Sequence, residues 1–565
     1  MKQIRRQPLP QDKPRESKNE GGFGGFVCTS VGYGLARPLF VAALFMLVLL
    51  LVVFSGAHRS SSLDVLFVSK DSASKDVSNS SSCSANSSTP EEPPKDDKFL
   101  GGLHSSAFNE ASCLSRYQSS LYRKPSNHTP SSYLVAKLRR YEALHKKCGP
   151  KTELYKKAVE HLKSNVSTGP LECNYVVWLP ADGLGNRIIS ITSSFLYALL
   201  NDKVLLLDLP QDMRGLFCEP FPESSWLLPA DFPIQNRYWI FEHDPHSYGN
   251  MLKNKVVSNE INITNVGNSL PGYLYLHLLH ANDDFDKIFY CEDGQKFLQQ
   301  FPWLLLRSNE YFAPAFFFIP EFEEELKLLF PERSTVFHHL GRYLFNPTNS
   351  VWGYITRYYE AYLANAREIL GVQIRIFAFA NVEIDVMLNQ IMNCSVSEKL
   401  LPDVSLNGSA LPSITGEKPK AVLLASLMGE YFDKLRDRYY EHATTTGEVV
   451  GVYQPTHEEQ QHTEKLSHNM KALAEMYLLS LSDELITSPF STFGYVAHAL
   501  GGLRPWILVR NANQNPPCVR SLSMEPCFHF PPSFECKTKR KVDIGRVVPN
   551  VRHCEDFFLG IKLFD

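Results

Sequence analysis

The stretch Asn174–Asp208 constrains the fold of this chain more than any other. It reads NYVVWLPADGLGNRIISITSSFLYALLNDKVLLLD. Tyr175–Leu179 is apolar and rich in β-branched and aromatic residues, which predicts a buried strand. After a glycine-containing turn, apolar residues recur at helical spacing from Ile188 onward, and Lys203–Asp208 predicts a second strand. Strand, turn, helix and strand together form a βαβ unit.

The turn between the first strand and the helix carries polar groups that can hold a ligand. Backbone N–H groups and the side chains of Asn186 and Arg187 lie where the helix begins, and a helix N-terminus favours a phosphate or a polar sugar group. The turn reads GLGN and not GxGxxG, and its glycines, Gly183 and Gly185, can serve tight packing alone. The pattern by itself leaves packing and ligand binding as equal alternatives.

A second unit of the same kind lies in the other half of the chain. Glu484–Ser488 predicts a strand, Pro489–Gly494 a turn that bears the hydroxyl groups of Ser491 and Thr492, and Tyr495–Leu500 a helix. One such unit in each half of the chain predicts an α/β fold with two Rossmann-like lobes that face a cleft.

One arginine stands where an apolar side chain would be expected. Gly371–Phe379 predicts a further strand, and Arg375 lies inside its apolar run. A buried guanidinium needs an anionic partner. That partner is either a carboxylate of the protein, which would make Arg375 structural, or the diphosphate of a ligand, which would make it functional. The sequence pattern favours neither.

The first 98 residues predict a membrane anchor between two irregular segments. Residues 38–57 contain the unbroken apolar run Leu39–Phe54, and about 17–25 apolar residues span a bilayer. Lys and Arg outnumber acidic residues in 1–37, which predicts a cytosolic tail, and the Ser- and Pro-containing residues 58–98 predict a flexible stem. A cleaved signal peptide is the alternative, although its charged region would be unusually long. The anchor predicts a single-pass type II protein with its C-terminal part in the lumen.

Cysteines and glycosylation sequons agree with a lumenal location. Of the 12 cysteines, all except Cys28 follow the anchor, none of them with CxxC spacing, so disulfides are expected. Their number is odd, and Cys83 in the stem is the candidate for the unpaired one. The net charge of −3 gives no basic excess for nucleic acid. The predicted N-glycosylation sites are Asn79, Asn86, Asn127, Asn165, Asn262, Asn393 and Asn407.

Five separated blocks between Cys173 and Asp565 carry a resemblance to a known family. The blocks are ADGLGNRIISITSSFLYALL, CEDGQKFLQQFPWLLLRSNEYFAP, LGVQIRIF, KALAEMYLLSLSDELITSPFSTFGYVAHALGGLRPWIL and PNVRHCEDFFLGIKLFD. They resemble the plant α-1,2-fucosyltransferases of the xyloglucan fucosyltransferase type. The resemblance implies a GT-B-like fold after an N-terminal transmembrane helix, with residues 99–345 as the acceptor lobe and 346–565 as the GDP-fucose lobe.

The resemblance also selects the residues expected to bind the donor. In these enzymes the arginine that matches Arg375 holds the donor diphosphate, so Arg375 is the expected catalytic residue. The family is metal-independent, and no cofactor beyond GDP-fucose is expected. The Asp284–Phe285–Asp286 triplet is the alternative, a metal site of the Asp-x-Asp type. The expected donor-binding residues are Gly185, Asn186, Arg187, Arg375, Ser491, Thr492 and Phe493.

The base that activates the acceptor is not assigned by the sequence. Relatives often carry an acid where this chain has Asn309, and Glu310 would point to the other face if a strand continued through it. Glu555 and Asp556, next to His553, are further carboxylates, for which a structural role is expected. An inverting transfer needs a polarised or deprotonated acceptor hydroxyl, so this position departs from the family pattern.

The resemblance implies a Golgi membrane enzyme that transfers L-fucose with inversion from GDP-fucose to galactose of a cell-wall glycan. Xyloglucan is the first expected acceptor and arabinogalactan protein the second. A non-catalytic glycan-binding membrane protein and a protein O-fucosyltransferase are the alternatives, and a homodimer is considered as an assembly.

Overall fold

The computed structural model describes residues 99–565, except 168, 236, 238–243, 246, 258–269, 281–282, 378–381, 406–415 and 511–513. The segments 1–37, 38–57 and 58–98, predicted to be a tail, an anchor and a stem, lie outside the described residues. None of the helices within the described ranges has the length and the apolar character that crossing a bilayer requires. The three segments therefore stay predictions.

Four parallel strands form the first sheet, in the order β2-β1-β4-β3. β1 (Tyr175–Leu179) is buried along its whole length, as its apolar sequence requires. It pairs with β2 (Val204–Leu207) and with β4 (Trp303–Ser308), and β3 (Leu274–Leu278) lies at the edge. The helix Leu184–Leu200 joins β1 to β2. The predicted βαβ unit is confirmed.

Six strands form the second sheet, in the order β10-β9-β8-β5-β6-β7. All neighbours are parallel except β10, which runs antiparallel to β9. β5 and β8 are neighbours, so the residues that follow them lie side by side at the carboxyl edge of the sheet. The strands are β5 (Glu368–Ile374), β6 (Lys420–Ser426), β7 (Val450–Tyr453), β8 (Glu484–Thr487), β9 (Trp506–Leu508) and β10 (Cys518–Arg520).

Helices cover both sheets, and their ends follow capping residues in the sequence. Ser131 Oγ accepts a hydrogen bond from the N–H of Leu134 at 3.0 Å, and Gly502, at φ +73°, ends a helix in the left-handed conformation that favours glycine. The α-helices are α1 (Leu114–Tyr122), α2 (Ser132–Cys148), α3 (Glu153–Lys163), α4 (Leu184–Leu200), α5 (Tyr248–Lys253), α6 (Glu292–Leu298), α7 (Pro320–Leu329), α8 (Val336–Leu344), α9 (Asn349–Tyr358), α10 (Ile384–Ser397), α11 (Glu430–Glu441), α12 (Leu466–Ser480), α13 (Thr492–Gly501) and α14 (Ile544–Val547).

The C-terminal segment follows the second sheet in sequence but packs against residues of the first half of the chain. Glu525 accepts hydrogen bonds from the hydroxyl of Tyr311 and from the backbone N–H of Phe337. The rings of Phe528 and Tyr290 are 5.6 Å apart. A short two-stranded sheet, β11 (Val551–His553) with β12 (Ile561–Leu563), ends the segment. Residues on both sides of the predicted boundary at 345/346 thus share one hydrophobic core.

Every cysteine from Cys113 onward forms a disulfide. Cys83, the candidate for the unpaired cysteine, lies outside the described residues. Asn127, Asn165 and Asn393 are exposed, as glycosylation sites must be, whereas Asn79, Asn86, Asn262 and Asn407 lie outside the described ranges. The disulfides join Cys113 to Cys218, Cys148 to Cys173, Cys291 to Cys536, Cys394 to Cys518 and Cys527 to Cys554.

Candidate functional site

A cavity of about 550 Å³ lies at the carboxyl ends of both parallel sheets. Ligands of parallel α/β sheets bind in this position, because the loops that leave the strand ends converge there. The first sheet contributes the turn after β1 and the residues that follow β4, and the second contributes the residues that follow β5, β6 and β8. Of the expected donor-binding residues, this cavity is lined by Gly185, Asn186, Arg375, Ser491, Thr492 and Phe493.

Arg375 lies at the end of β5 and faces the cavity. The strand ends at Ile374, before the predicted end at Phe379, so Arg375 directly follows the strand and does not stand inside it. Its backbone N–H donates to Ser488 Oγ at 2.9 Å, which links the end of β5 to the residue that follows β8. Its guanidinium donates to Gln461 Oε1 at 2.8 Å, and burial lowers the pKa of Arg375.

No carboxylate of the described residues lies within ion-pair distance of Arg375. The structural alternative from the sequence, a carboxylate partner within the protein, is therefore not found in these ranges. A half-buried guanidinium that faces a cavity with most of its N–H groups available is suited to bind a diphosphate.

Helix α13 begins at the cavity, beside Arg375. Ser491 is its N-cap and is buried, but its side chain makes no capping hydrogen bond. The first N–H groups of a helix have no carbonyl partner within the helix, and Ser491, Thr492 and Phe493 all line the cavity. Phe490, at φ +62°, is held by a hydrogen bond from its N–H to Asp556 Oδ2 at 2.9 Å. The start of α13 is thus oriented to bind an anion.

The first turn of α4 meets the first turn of α13 across the cavity. Asn186 connects them, because its Oδ1 accepts from Thr492 Oγ1 at 3.1 Å and its Nδ2 donates to the carbonyl of Asn309 at 2.9 Å. Arg187 forms an ion pair with Asp212 at 2.5 Å. It lines a neighbouring groove of about 610 Å³ instead of the cavity itself. The predicted donor-binding role of Arg187 stays a prediction.

Both residues that follow β4 line the cavity. The strand ends at Ser308, so the condition under which Glu310 would point to the other face is not met, and Glu310 lines the cavity. Glu310 is only 4% exposed and accepts a hydrogen bond from the backbone N–H of His529 at 3.1 Å. Burial raises the pKa of Glu310 to about 8, so this carboxyl group carries its proton at neutral pH.

Asn309 holds two further polar residues at the same edge of the sheet. Its Nδ2 donates to Asp182 Oδ2 and to His280 Nδ1, each at 2.5 Å, and its Oδ1 accepts from the N–H of His280 at 3.0 Å. Asp182 was not selected from the sequence. Its place in the βα turn, one residue before Gly183, is the signal that could have identified it.

The other carboxylates considered from the sequence are not among the described residues that line the cavity. Asp284 lies in a turn after β3, and Asp286 begins a short 3-10 helix. Glu555 pairs with Lys562 at 3.1 Å, and His553 contacts Asp543 at 2.7 Å. Asp556 supports the turn that precedes α13.

One group with metal-ligand composition occurs in the described part of the chain. Its members are Cys527, Cys554 and Asp556. The two cysteines form a disulfide with each other, so neither offers a thiolate to a metal ion.

Comparison with known proteins identifies close relatives of the chain. The sequence profile of a family described as xyloglucan fucosyltransferase matches residues 71–537. An Arabidopsis thaliana protein named galactoside 2-alpha-L-fucosyltransferase is 53% identical over 471 residues, 83% of each chain. A Pisum sativum protein of the same name is 51% identical over 473 residues, 83% of this chain and 82% of its own. A solved structure of a mutant of Arabidopsis thaliana FUT1 in complex with GDP is 52% identical, covers 83% of this chain and all of its own, and superposes with a TM-score of 0.76.

Proposed function

Because this chain belongs to the xyloglucan fucosyltransferase family, we propose that it transfers L-fucose from GDP-fucose, with inversion, to galactose in a cell-wall glycan. The new bond is an α-1,2 linkage, and xyloglucan is the preferred acceptor. The names of the two relatives, galactoside 2-alpha-L-fucosyltransferases, support the galactoside acceptor. The GDP complex of the related structure supports the donor.

The observation that carries the proposal is the pairing of Arg375 with the start of α13. GDP leaves with negative charge on its diphosphate, and that charge must be stabilised as the bond to fucose breaks. Arg375 offers a guanidinium with no carboxylate partner among the described residues, and α13 offers the N–H groups of its first turn. The two lie side by side because β5 and β8 are neighbours in the sheet.

The donor then lies mainly on the second sheet and the acceptor mainly on the first. This arrangement corresponds to a GT-B-like enzyme with two Rossmann-like lobes, residues 99–345 and 346–565, that face a cleft. The position of the cavity at the carboxyl ends of both sheets supports the assignment.

The protein acts in the Golgi lumen as a single-pass type II membrane protein. The apolar run of residues 38–57 and the basic tail before it support the orientation. The disulfides support an oxidising compartment, since such bonds are rare in the cytosol.

Transfer is expected to be independent of a divalent metal, because the diphosphate charge is met by Arg375 and the α13 N-terminus. If a metal were required, transfer would stop in EDTA and the Asp284–Phe285–Asp286 triplet would be the first place to search for its ligands.

The test is an acceptor panel for the purified full-length protein. GDP-fucose is offered with galactosylated xyloglucan, with arabinogalactan, and with xyloglucan from which β-galactosidase has removed the galactose. We expect transfer to intact xyloglucan in the presence of EDTA, no transfer to the trimmed polymer, and an α-1,2 linkage in the NMR spectrum of the product. Absence of transfer to both intact glycans, together with absence of GDP-fucose hydrolysis, would contradict the proposal and favour a glycan-binding role.

A further inference from the structure

The reaction needs a group that takes the proton of the acceptor hydroxyl, and residue 309, an amide, cannot do so. We propose that the carboxylate of Asp182 accepts this proton, a role that rests on the proposed function above. As the hydroxyl oxygen bonds to C1 of fucose, its proton passes to Asp182. The electron pair of the C1–O bond leaves on the diphosphate of GDP.

Asp182 occupies the junction between the two cavities of the site. It lines both the 550 Å³ cavity, where the donor diphosphate is expected, and the neighbouring 610 Å³ groove. Only Gly183 and Thr463 share this position among the described lining residues, and neither can accept a proton. An acceptor that enters along the groove therefore meets the donor beside Asp182.

The hydrogen bonds of Asn309 fix one oxygen of Asp182 and leave the other available. The amide of Asn309 donates one N–H to Asp182 Oδ2 and the other to His280 Nδ1, while its oxygen accepts from the backbone of His280. Both N–H groups of this buried amide donate and its oxygen accepts, which fixes its orientation. Asp182 Oδ1 has no hydrogen-bond partner in the described ranges.

Asp182 lies in the turn after β1 and is accessible from the cavity. Its φ is +54°, a region in which non-glycine residues are uncommon and which costs conformational energy. The residue is exposed to the cavity, unlike Asn309 and Glu310. Because its carboxylate is exposed, a substrate hydroxyl can reach it.

The other carboxyl groups that line the cavity are less suited to take a proton. Glu310 is buried, and its pKa is raised to about 8. Glu475 accepts from Thr456 Oγ1 at 2.6 Å, and burial likewise raises its pKa to about 8. Glu458 is paired with Lys471. Asp182 alone among these lining carboxyl residues is both exposed and without an ion-pair partner in the described part of the chain.

The three histidines that line the cavity are also occupied. His280 accepts from Asn309 at Nδ1, so its ring proton resides on Nε2. His529 contacts the hydroxyl of Tyr495 at 3.0 Å, and burial lowers its pKa. His468 lies 3.5 Å from Glu458 in an ion-pair arrangement. None of the three matches the position of Asp182 at the junction with the groove.

A chain of contacts connects Asp182 to the diphosphate site. A Cβ atom at Gly183, the next residue, would lie 3.2 Å from Gln461 Nε2. The other amide atom of Gln461, Oε1, accepts from Arg375. Gln461 thus lies between the turn that holds Asp182 and the arginine at the end of β5.

The experiment exchanges the acid and the amide. Purified full-length protein is compared with Asp182→Asn, Asn309→Asp, the double variant Asp182→Asn/Asn309→Asp and the control Asp284→Asn. Initial rates of fucose transfer and GDP affinity by calorimetry are measured for each, with thermal unfolding to confirm folding. Asp284 is an exposed aspartate in a turn and is not among the described residues that line the cavity. Its variant therefore makes the same Asp-to-Asn change at a position away from the site.

We expect Asp182→Asn to lower kcat by ~100-fold or more, as loss of a general base does, with GDP affinity changed by less than ~3-fold. Asn309→Asp is also expected to be slow, because two carboxylates would then face each other without the amide donor. The double variant keeps one carboxylate and one amide in this hydrogen bond, with their positions exchanged. Its kcat is expected to be at least ~10-fold higher than that of Asp182→Asn. The control should retain the wild-type rate.

Three results would overturn the inference. They are a wild-type rate in Asp182→Asn, a loss of GDP affinity that accounts for the lost rate, and a double variant as slow as Asp182→Asn. Each leaves fucose transfer by the wild type standing, so the proposed function survives them. A wild type that transfers fucose to no acceptor would instead contradict the proposed function and with it the role of Asp182.

Discussion

A Cβ atom added to Gly185 would lie 2.6 Å from Thr492 Oγ1 and 2.9 Å from the backbone N of Phe493. The first turn of α4, which follows β1 of the first sheet, therefore touches the first turn of α13, which follows β8 of the second sheet. The glycine in the GLGN turn is explained by this contact, because any side chain at position 185 would separate the two helix N-termini. Of the two alternatives that the sequence leaves open for this turn, the structure shows the packing role, and ligand binding stays a prediction.

Gly185→Ala is expected to impair transfer strongly, because the added methyl group has no space against Thr492. A shift of about 1 Å in the reacting groups can cost ~100-fold in rate, and overpacking costs about 1–3 kcal/mol of stability. Steady-state kinetics and chemical unfolding check both values.

Gly429→Ala is the matched control. Gly429 has only His457 Nδ1 near its added Cβ, at 3.8 Å, so the rate should be unchanged. Equal rates for the two variants would refute the steric explanation of Gly185.

Arg375→Ala is expected to weaken GDP binding by about 2–5 kcal/mol, the typical cost of removing one partner of a buried charge pair. Arg375→Lys should recover only part of this, because an ammonium group cannot form the bidentate contact. The control is Arg367→Ala, an exposed arginine paired with Glu417 and Glu448. Calorimetric titration with GDP distinguishes them, and equal affinities would show that Arg375 does not bind the diphosphate.

Stability is expected to fall as pH rises, through the carboxyl group of Glu525. Burial raises its pKa from 4.5 to about 8. Above pH ~4.5 the unfolded chain releases this proton while the folded chain retains it up to about pH 8. The folded state therefore loses ~1.4 kcal/mol per pH unit across that window.

Glu525→Gln cannot ionise and should lack this contribution. Its unfolding midpoint should fall less than that of the wild type between pH 5 and pH 7.5. The same pH dependence in both proteins would show that Glu525 does not titrate in this way.

The Cys291–Cys536 disulfide is expected to hold the C-terminal segment against the first half of the chain. It closes a sequence separation of 245 residues, and loss of a native disulfide costs ~2–5 kcal/mol. In Cys291→Ser/Cys536→Ser, limited proteolysis followed by mass spectrometry should locate the first cuts between residues 523 and 565. The comparison is Cys394→Ser/Cys518→Ser, in which the cuts should fall elsewhere. Identical cleavage maps would contradict this role.

Regular patterns in the sequence predicted the local elements well. Tyr175–Leu179 forms the buried strand, and Leu184–Leu200 the helix, that their apolar residues predict. Helix α10 (Ile384–Ser397) was not predicted from the sequence. Its buried face includes Gln390, Cys394 and Ser395, and a disulfide from Cys394 fixes it. That contact, 124 residues distant in sequence, is invisible to local periodicity.

The sequence predicted only part of the candidate site, because the rest depends on contacts between residues that are distant in sequence. Arg375 was identifiable because a charge in an apolar run is unusual, and the structure places it at the cavity. Asp182 was not identifiable, since the hydrogen bond that orients its carboxylate comes from Asn309, which is 127 residues away in the sequence. The end of β4 at Ser308, which turns Glu310 toward the cavity, likewise depends on tertiary contacts such as that with His529.

The most direct test of the account is a crystal structure of the protein with GDP, grown in the presence of EDTA. The account predicts diphosphate oxygens about 3 Å from the guanidinium of Arg375 and from the first N–H groups of α13. A diphosphate bound elsewhere in the cavity, with Arg375 still directed at Gln461 alone, would contradict it.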